Sequence, residues 1–130
     1  MLLKDYFKKG KFYVWEEKFA IVKAKKPLAN AFAIIKDKNE ITCIINQSKI
    51  KNKKNIIKID KGWKIIIFDV VLPFGLVGFL AKISKTLASE GIGIFVVSSY
   101  STDHILIKKN NIKKAVNKLK SLGLRQMNSF

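Results

Sequence analysis

The sequence predicts an α+β fold, a ferredoxin-like β-α-β-β-α-β sandwich, preceded by a thinner repeat of part of itself. Three observations carry this. An apolar run, IIIFDVVL from Ile65, is bounded by Gly62 before it and by Pro73 and Gly75 after it, as a buried strand is. Two stretches have apolar residues at helical spacing: Leu76, Phe79, Leu80, Ile83 and Leu87, and later Ile112, Val116, Leu119 and Leu122. Between them, two short β-type segments flank the turn residues SYST.

Taken in chain order, the first strand covers about 64–72. The first helix spans 76–89, with Lys82, Lys85 and Ser89 on its polar face and Gly91 placed to end it. IGIFVVS, Ile92 to Ser98, is the second strand, and HILIK, His104 to Lys108, is its antiparallel partner. Asn110 or Asn111 caps the second helix, and Gly123 ends it. The tail LRQMNSF supplies one short last strand, so that two helices cover one face of an antiparallel sheet.

The first half repeats part of this pattern. KFAIVKA has the composition of a strand, and FAIIKDKNEITCII, from Phe32, lies without a gap on FVVSSYSTDHILI, from Phe95. The offset pairs Glu40 with Asp103. Only KKPLAN separates that strand from its hairpin, too little chain for a crossover helix. The expected organisation is a degenerate unit over 1–60 and a complete one over 61–130.

Composition narrows the function. Met1 to Phe19 is broken by Lys4, Asp5, Lys8, Lys9, Lys11, Glu16, Glu17 and Lys18, which does not fit a secretory leader, so a cytoplasmic location is expected. The run from Ile65 to Ala81 is interrupted by Asp69, Pro73, Gly75 and Gly78 and falls short of the ~20 residues of a membrane helix. No membrane partner is expected. The single Cys43, in the alternating segment ITCIINQ, reads as a small buried hydrophobe. With one cysteine, one histidine (His104) and scattered acids, no nucleophile–base pair or metal cluster has recognisable spacing. The protein is therefore not expected to be an enzyme, and no catalytic residue, metal or cofactor is expected.

The formal net charge of +17 invites a nucleic-acid reading, because clustered cations release condensed counterions from a phosphate backbone. Only Arg125 among the 26 basic residues is an arginine, however, and base and phosphate recognition favours the guanidinium fork. The lysines travel with nineteen isoleucines and nine asparagines, all with A/T-rich codons, so genome composition accounts for much of the charge. KIKNKKNIIK, Lys49 to Lys58, reads as a solvated loop. Weak, sequence-indifferent nucleic-acid binding remains the alternative function, beside a purely structural dimerisation module. The lysine excess also favours acidic ligands modestly, through its long-range field.

The topology brings two distant segments together. In this sandwich the start of the first helix and the turn of the following hairpin share one end of the sheet, and the third strand lies beside the first. LPFGLVG, Leu72 to Gly78, therefore meets SYSTDH, Ser99 to His104. The helix start near Leu76 and Val77 offers unpaired N–H groups to a carboxylate, and Gly75 allows close approach of a ligand to the backbone. Asp103 can accept hydrogen bonds from an ammonium, with Ser98, Ser99, Ser101 and Thr102 adding contacts. A carboxylate receptor beside an ammonium receptor is what the backbone of a free amino acid requires. The plain alternative is that Asp103 bonds its own turn and Gly75 merely shapes one. On the same footing, Glu40 on its hairpin is a solvated acid and His104 is no metal ligand.

The segment from Gly62 to Gly123, above all LPFGLVGFLAKIS and GIGIFVVSSYSTDHILIK, resembles the second unit of small bacterial tandem ACT-domain proteins. Those are similar in turn to the ACT domains of the animal cytosolic arginine sensor. The first half resembles the N-terminal unit of these proteins, chiefly in DKNEITCII. The resemblance implies a regulatory module that binds an amino acid or similar ligand and associates as a homo-oligomer, most simply a dimer. It also implies ligand contacts at Gly75, Leu76 and Val77 in the first loop and at Ser99, Tyr100, Ser101, Thr102 and Asp103 in the second. Two positions depart from the family: Gly75 stands where a polar residue is usual, and His104 where an aromatic is.

Overall fold

The structure, a computed structural model, describes residues 1–128. In chain order its elements are α1 (Leu3–Lys9), β1 (Lys11–Val14), β2 (Phe19–Ala24), β3 (Ala33–Lys36), β4 (Ile41–Asn46), β5 (Ile56–Asp69), α2 (Phe79–Ala88), β6 (Phe95–Ser98), β7 (Asp103–Lys108), α3 (Ile112–Ser121) and β8 (Arg125–Gln126). Contacts divide the chain into two units: Met1–Trp15 with the chain from Ile65 onward, and Glu16–Lys64. The division therefore falls at 64/65, inside β5, and not at the expected 60/61. The N-terminal residues 1–15 join the larger unit because they carry Phe7 and Phe12, both buried in its core.

The larger unit is the expected α+β sandwich. β7 pairs with both β5 and β6, and the β6–β7 hairpin is antiparallel, with Val97 opposite His104 and Ser98 opposite Asp103. Phe79, Ile83 and Leu87 of α2 and Ala115 and Leu119 of α3 share one core with Ile66 and Phe68 of β5 and Ile105 and Ile107 of β7. Burying each of these large side chains contributes about 1.5–3 kcal/mol, so the apolar stripe of α2 is structural. Two boundaries move from their expected places. α2 begins at Phe79 rather than Leu76, because the Leu76 N–H closes a turn onto the Pro73 carbonyl (2.9 Å). β6 begins at Phe95, with Ile92 buried ahead of it. Asn111 stands at the start of α3 but makes no side-chain capping bond.

The edge of this sheet is the main departure from the expected topology. β1 pairs antiparallel with β5, Phe12 opposite Phe68, and β8 pairs in parallel with β1. On this edge the neighbour of β5 is thus an N-terminal strand, and the C-terminal strand lies outside it. KFYV carries Phe12 into the core, fully buried, whereas both residues of β8 are exposed. Apolar burial decides which strand takes the inner place.

The smaller unit contains no crossover helix, as the brevity of KKPLAN predicts. β2 pairs antiparallel with β4 and with the first part of β5, and β3 lies outside β4. Its core is Ala20, Val22, Ala24, Cys43 and Ile45, covered by Leu28, Ala31 and Ile50. Cys43 is a free, fully buried thiol, placed as a small hydrophobe. Of the presumed loop Lys49 to Lys58, the last three residues belong to β5.

The two hairpins differ in register. β6 and β7 close on the pair Ser98–Asp103, and β3 and β4 on the pair Lys36–Ile41, each with four residues in the turn. Asp103 is thus the first residue of its strand, whereas Glu40 lies in its turn. The gapless alignment of Glu40 with Asp103 does not hold in three dimensions; Ile41 occupies the corresponding place.

Candidate functional site

The start of α2 is fixed from below. Phe79 stacks on Phe7 (centroids 4.8 Å apart, planes 16° apart) and meets Phe68 edge-on at 5.4 Å. Immediately before it, Gly78 has φ of 101°, a left-handed conformation that turns the chain into the helix and that a side chain would strain. A Cβ there would also stand 3.0 Å from Leu3 Cδ2.

The loop after β5 and the hairpin turn are stitched together, as the topology predicts. Leu72 N–H donates to the Ser101 carbonyl at 2.7 Å, and Thr102 Oγ1 donates to the Phe68 carbonyl at 2.9 Å. Ser99 closes the turn onto Thr102, through N–H (2.9 Å) and Oγ (3.1 Å). Phe74 and Tyr100, each about four-fifths exposed, meet edge to face with centroids 5.0 Å apart.

Between these segments lies a cleft of about 270 Å³. Leu72, Pro73, Phe74 and Leu76 form one wall, Gly78 to Ala81 at the start of α2 another, and Ser98, Ser99, Tyr100, Thr102 and Asp103 the third. Asp103 belongs to the face of β7 that carries Ile105 and Ile107 under the helices, since side chains alternate along a strand. Its Oδ1 accepts a 2.5 Å hydrogen bond from Ser98 Oγ. Among the described residues no lysine or arginine pairs with it.

The sequence-predicted residues divide. Leu76, Ser99, Tyr100, Thr102 and Asp103 line the cleft; Gly75, Val77 and Ser101 do not. Gly75 borders open space and Val77 points to solvent, while Ser101 lines a smaller hollow of about 150 Å³ beside Val71 and contributes its carbonyl to Leu72. The anion-binding N–H groups also move. That of Leu76 is taken by Pro73, and the donors without intrahelical acceptors are those at the beginning of α2, at Phe79, Leu80 and Ala81. No side chain caps this end and no acid stands in its first turn, so its dipole meets the cleft unopposed. Gly78 and these three residues are the part of the site that sequence reasoning missed; the φ-permissive Gly78 before an apolar helical stripe was the available signal.

No lysine or arginine lines this cleft, and its one acidic side chain is that of Asp103. On the other side of the strand, His104 Nδ1 lies 3.3 Å from the Val97 carbonyl oxygen. Burial lowers the His104 pKa from its ordinary value, opposed by the Val97 carbonyl and by Asp103, which both raise it. Among the described residues no cluster of three His, Cys, Asp or Glu could hold a metal ion, and no helix is long and apolar enough to cross a membrane.

Comparison with known proteins agrees with this architecture. Residues 58–121 match the family model of the ACT domain. The chain is similar to a crystal structure of a protein from Agrobacterium tumefaciens, at 22% identity and a TM-score of 0.80, over 93% of this chain and 94% of that one. It is also similar to a protein of unknown function from Vibrio cholerae, described as a possible transport protein, at 17% identity and 0.76 over 93% and 95%. A third likeness is to the ligand-free regulatory subunit of aspartate kinase from Thermus thermophilus, at 10% identity and 0.64 over 88% and 96%. At these identities the likeness is one of fold, ACT-like and ferredoxin-type. No curated protein matches the sequence.

Proposed function

We propose that the protein is a non-catalytic regulatory protein that binds a free amino acid in the cleft between residues 72–81 and 98–103. Asp103 holds the ammonium and the N–H groups of Phe79, Leu80 and Ala81 hold the carboxylate. Leu72, Leu76, Phe79 and Leu80 receive the side chain, which favours an uncharged one. The ACT-domain match over 58–121 and the likeness to an aspartate kinase regulatory subunit support a small-molecule-binding regulatory role.

The observation that carries the amino-acid reading is the pairing of charges. In a chain of net charge +17, Asp103 lines a cleft without a lysine or arginine partner among the described residues, opposite a helix start that has neither cap nor acid. Each half of the cleft lacks the counter-charge that the other half of an amino-acid backbone supplies. The protein acts in the cytoplasm, as a homodimer or on a protein partner. Nucleic-acid binding, resting on dispersed lysines, is weak, sequence-indifferent and lost at physiological salt.

A thermal-shift screen of the full chain against each standard amino acid tests the proposal. A ligand at about 100 times its Kd stabilises the folded state by about 2.7 kcal/mol. One amino acid, or a small group with uncharged side chains, should raise Tm. A flat response to all of them contradicts the reading.

A further inference from the structure

The hairpin of the smaller unit carries the opposite chemistry. Where β6–β7 closes on Ser98 and Asp103, β3–β4 closes on Lys36 and Ile41. A concave surface of about 430 Å³ lies at this turn, with Lys23, Lys25, Lys36 and Lys38 around it and Ala24, Ile41 and Ile57 as its apolar part.

The two acids of this cleft are already committed. Asp37 Oδ1 accepts the N–H groups of Asn39 (2.7 Å) and Glu40 (2.8 Å), and these bonds hold its pKa below the ordinary carboxylate value. Glu40 pairs with Lys23 at 3.8 Å. Among the described residues Lys25, Lys36 and Lys38 have no acidic partner. Lys23 also stands directly opposite Lys58 across the β2–β5 ladder, a like-charge pair that costs stability until an anion screens it.

We propose that this cleft is a second ligand site, for a compact small-molecule anion carrying two or more negative charges, such as a phosphorylated or polycarboxylate metabolite. Lysines act as mobile point charges toward such oxyanions, and several around one cleft favour a multiply charged ligand over a monoanion. Glu40 competes with the ligand for Lys23. The site is independent of the amino-acid cleft, and either can fail without the other.

The test is calorimetric titration of the full chain at physiological salt with inorganic pyrophosphate, and with citrate in a parallel arm. The double variant Lys36→Gln, Lys38→Gln should weaken pyrophosphate binding by about tenfold, as the loss of two charge contacts predicts. The pair Lys113→Gln, Lys120→Gln, exposed on α3, removes the same charge and should change it less than about twofold. Glu40→Gln should tighten binding. Pyrophosphate binding alone assigns the site to phosphorylated ligands, and citrate binding with the same dependence on Lys36 and Lys38 assigns it to polycarboxylates. No binding of either anion, equal weakening by both double variants, or a duplex oligonucleotide that binds more tightly than pyrophosphate with the same dependence overturns the proposal.

Discussion

Ser98 and Asp103 face each other across the last pair of the β6–β7 hairpin, and the Ser98 hydroxyl donates to Asp103 Oδ1 at 2.5 Å. The register fixes which residues meet, and the bond fixes the rotamer. The carboxylate is held on the helix-facing side of β7, at the end of the sheet where α2 begins. A hydroxyl orients the carboxylate without bringing the positive charge that a lysine would.

Ser98→Ala should therefore weaken amino-acid binding without unfolding the protein. Ser98 is exposed, so the loss is that of one partly solvated hydrogen bond to a charge, about 0.5–1.5 kcal/mol or roughly two- to tenfold in affinity. Calorimetric titration of the Ser98→Ala chain with the amino acid found by the screen measures it. Unchanged affinity would mean that the bond merely decorates the turn.

Gly78 and Gly75 should respond differently to alanine. At Gly78 the positive φ costs about 1–2 kcal/mol for any residue with a Cβ, and Leu3 must yield as well. Gly75 has open space around it and no positive φ, so Gly75→Ala should be nearly neutral. Denaturant unfolding of the two variants distinguishes the residue that sets the helix start from the one that only neighbours it.

Stability should fall on mild acidification through His104. Burial lowers its pKa in the folded state, so the unfolded chain binds the proton more readily. The neutral imidazole's contribution is complete above the ordinary value of 6.5 and is lost as pH falls through that value toward the lower folded one. Tm measured from neutral pH downward should show this drop, and His104→Gln should flatten it. An equal drop in the variant would place the sensitivity elsewhere.

Self-association should use a sheet edge. β3 is the outermost strand of its unit, and Ile34 and Ile35 on it are each 44% exposed, an arrangement that invites strand pairing with a second copy about a two-fold axis. Sedimentation should show a species of about twice the 14.8 kDa chain mass, which Ile35→Lys disperses. A monomer at all concentrations contradicts this.

The larger unit was legible because its periodicities are clean and its breakers few. Its errors have local causes. Leu76 belongs to the apolar stripe of α2 by spacing, but the Pro73–Leu76 turn removes it from the helix, and that moved the expected anion donors by one turn. α1 and β1 escaped notice because Phe7 and Phe12 are scattered among lysines, and only tertiary burial shows that they belong to the core. Glu40 matched Asp103 by linear count, which is blind to where a turn closes. The cleft's hydroxyl side was visible as a cluster of serines and a threonine around one acid, although the roles of Ser98 and Ser101 depend on the pairing.

The most direct measurement of the central claim is the affinity of the Asp103→Asn protein for the amino acid found by the screen, taken together with the Tm of its ligand-free form. The amide is nearly isosteric and can still accept from Ser98, so Tm should stay close to the parent's. The charge-assisted contact to the ammonium is lost, however, and affinity should fall by about 1.5–3 kcal/mol, roughly ten- to more than a hundredfold. Glu40→Gln, displaced from the corresponding position, should leave that affinity unchanged. An Asp103→Asn protein that binds as the parent does, or one whose Tm falls while its affinity holds, would contradict the assignment of Asp103 to the ligand.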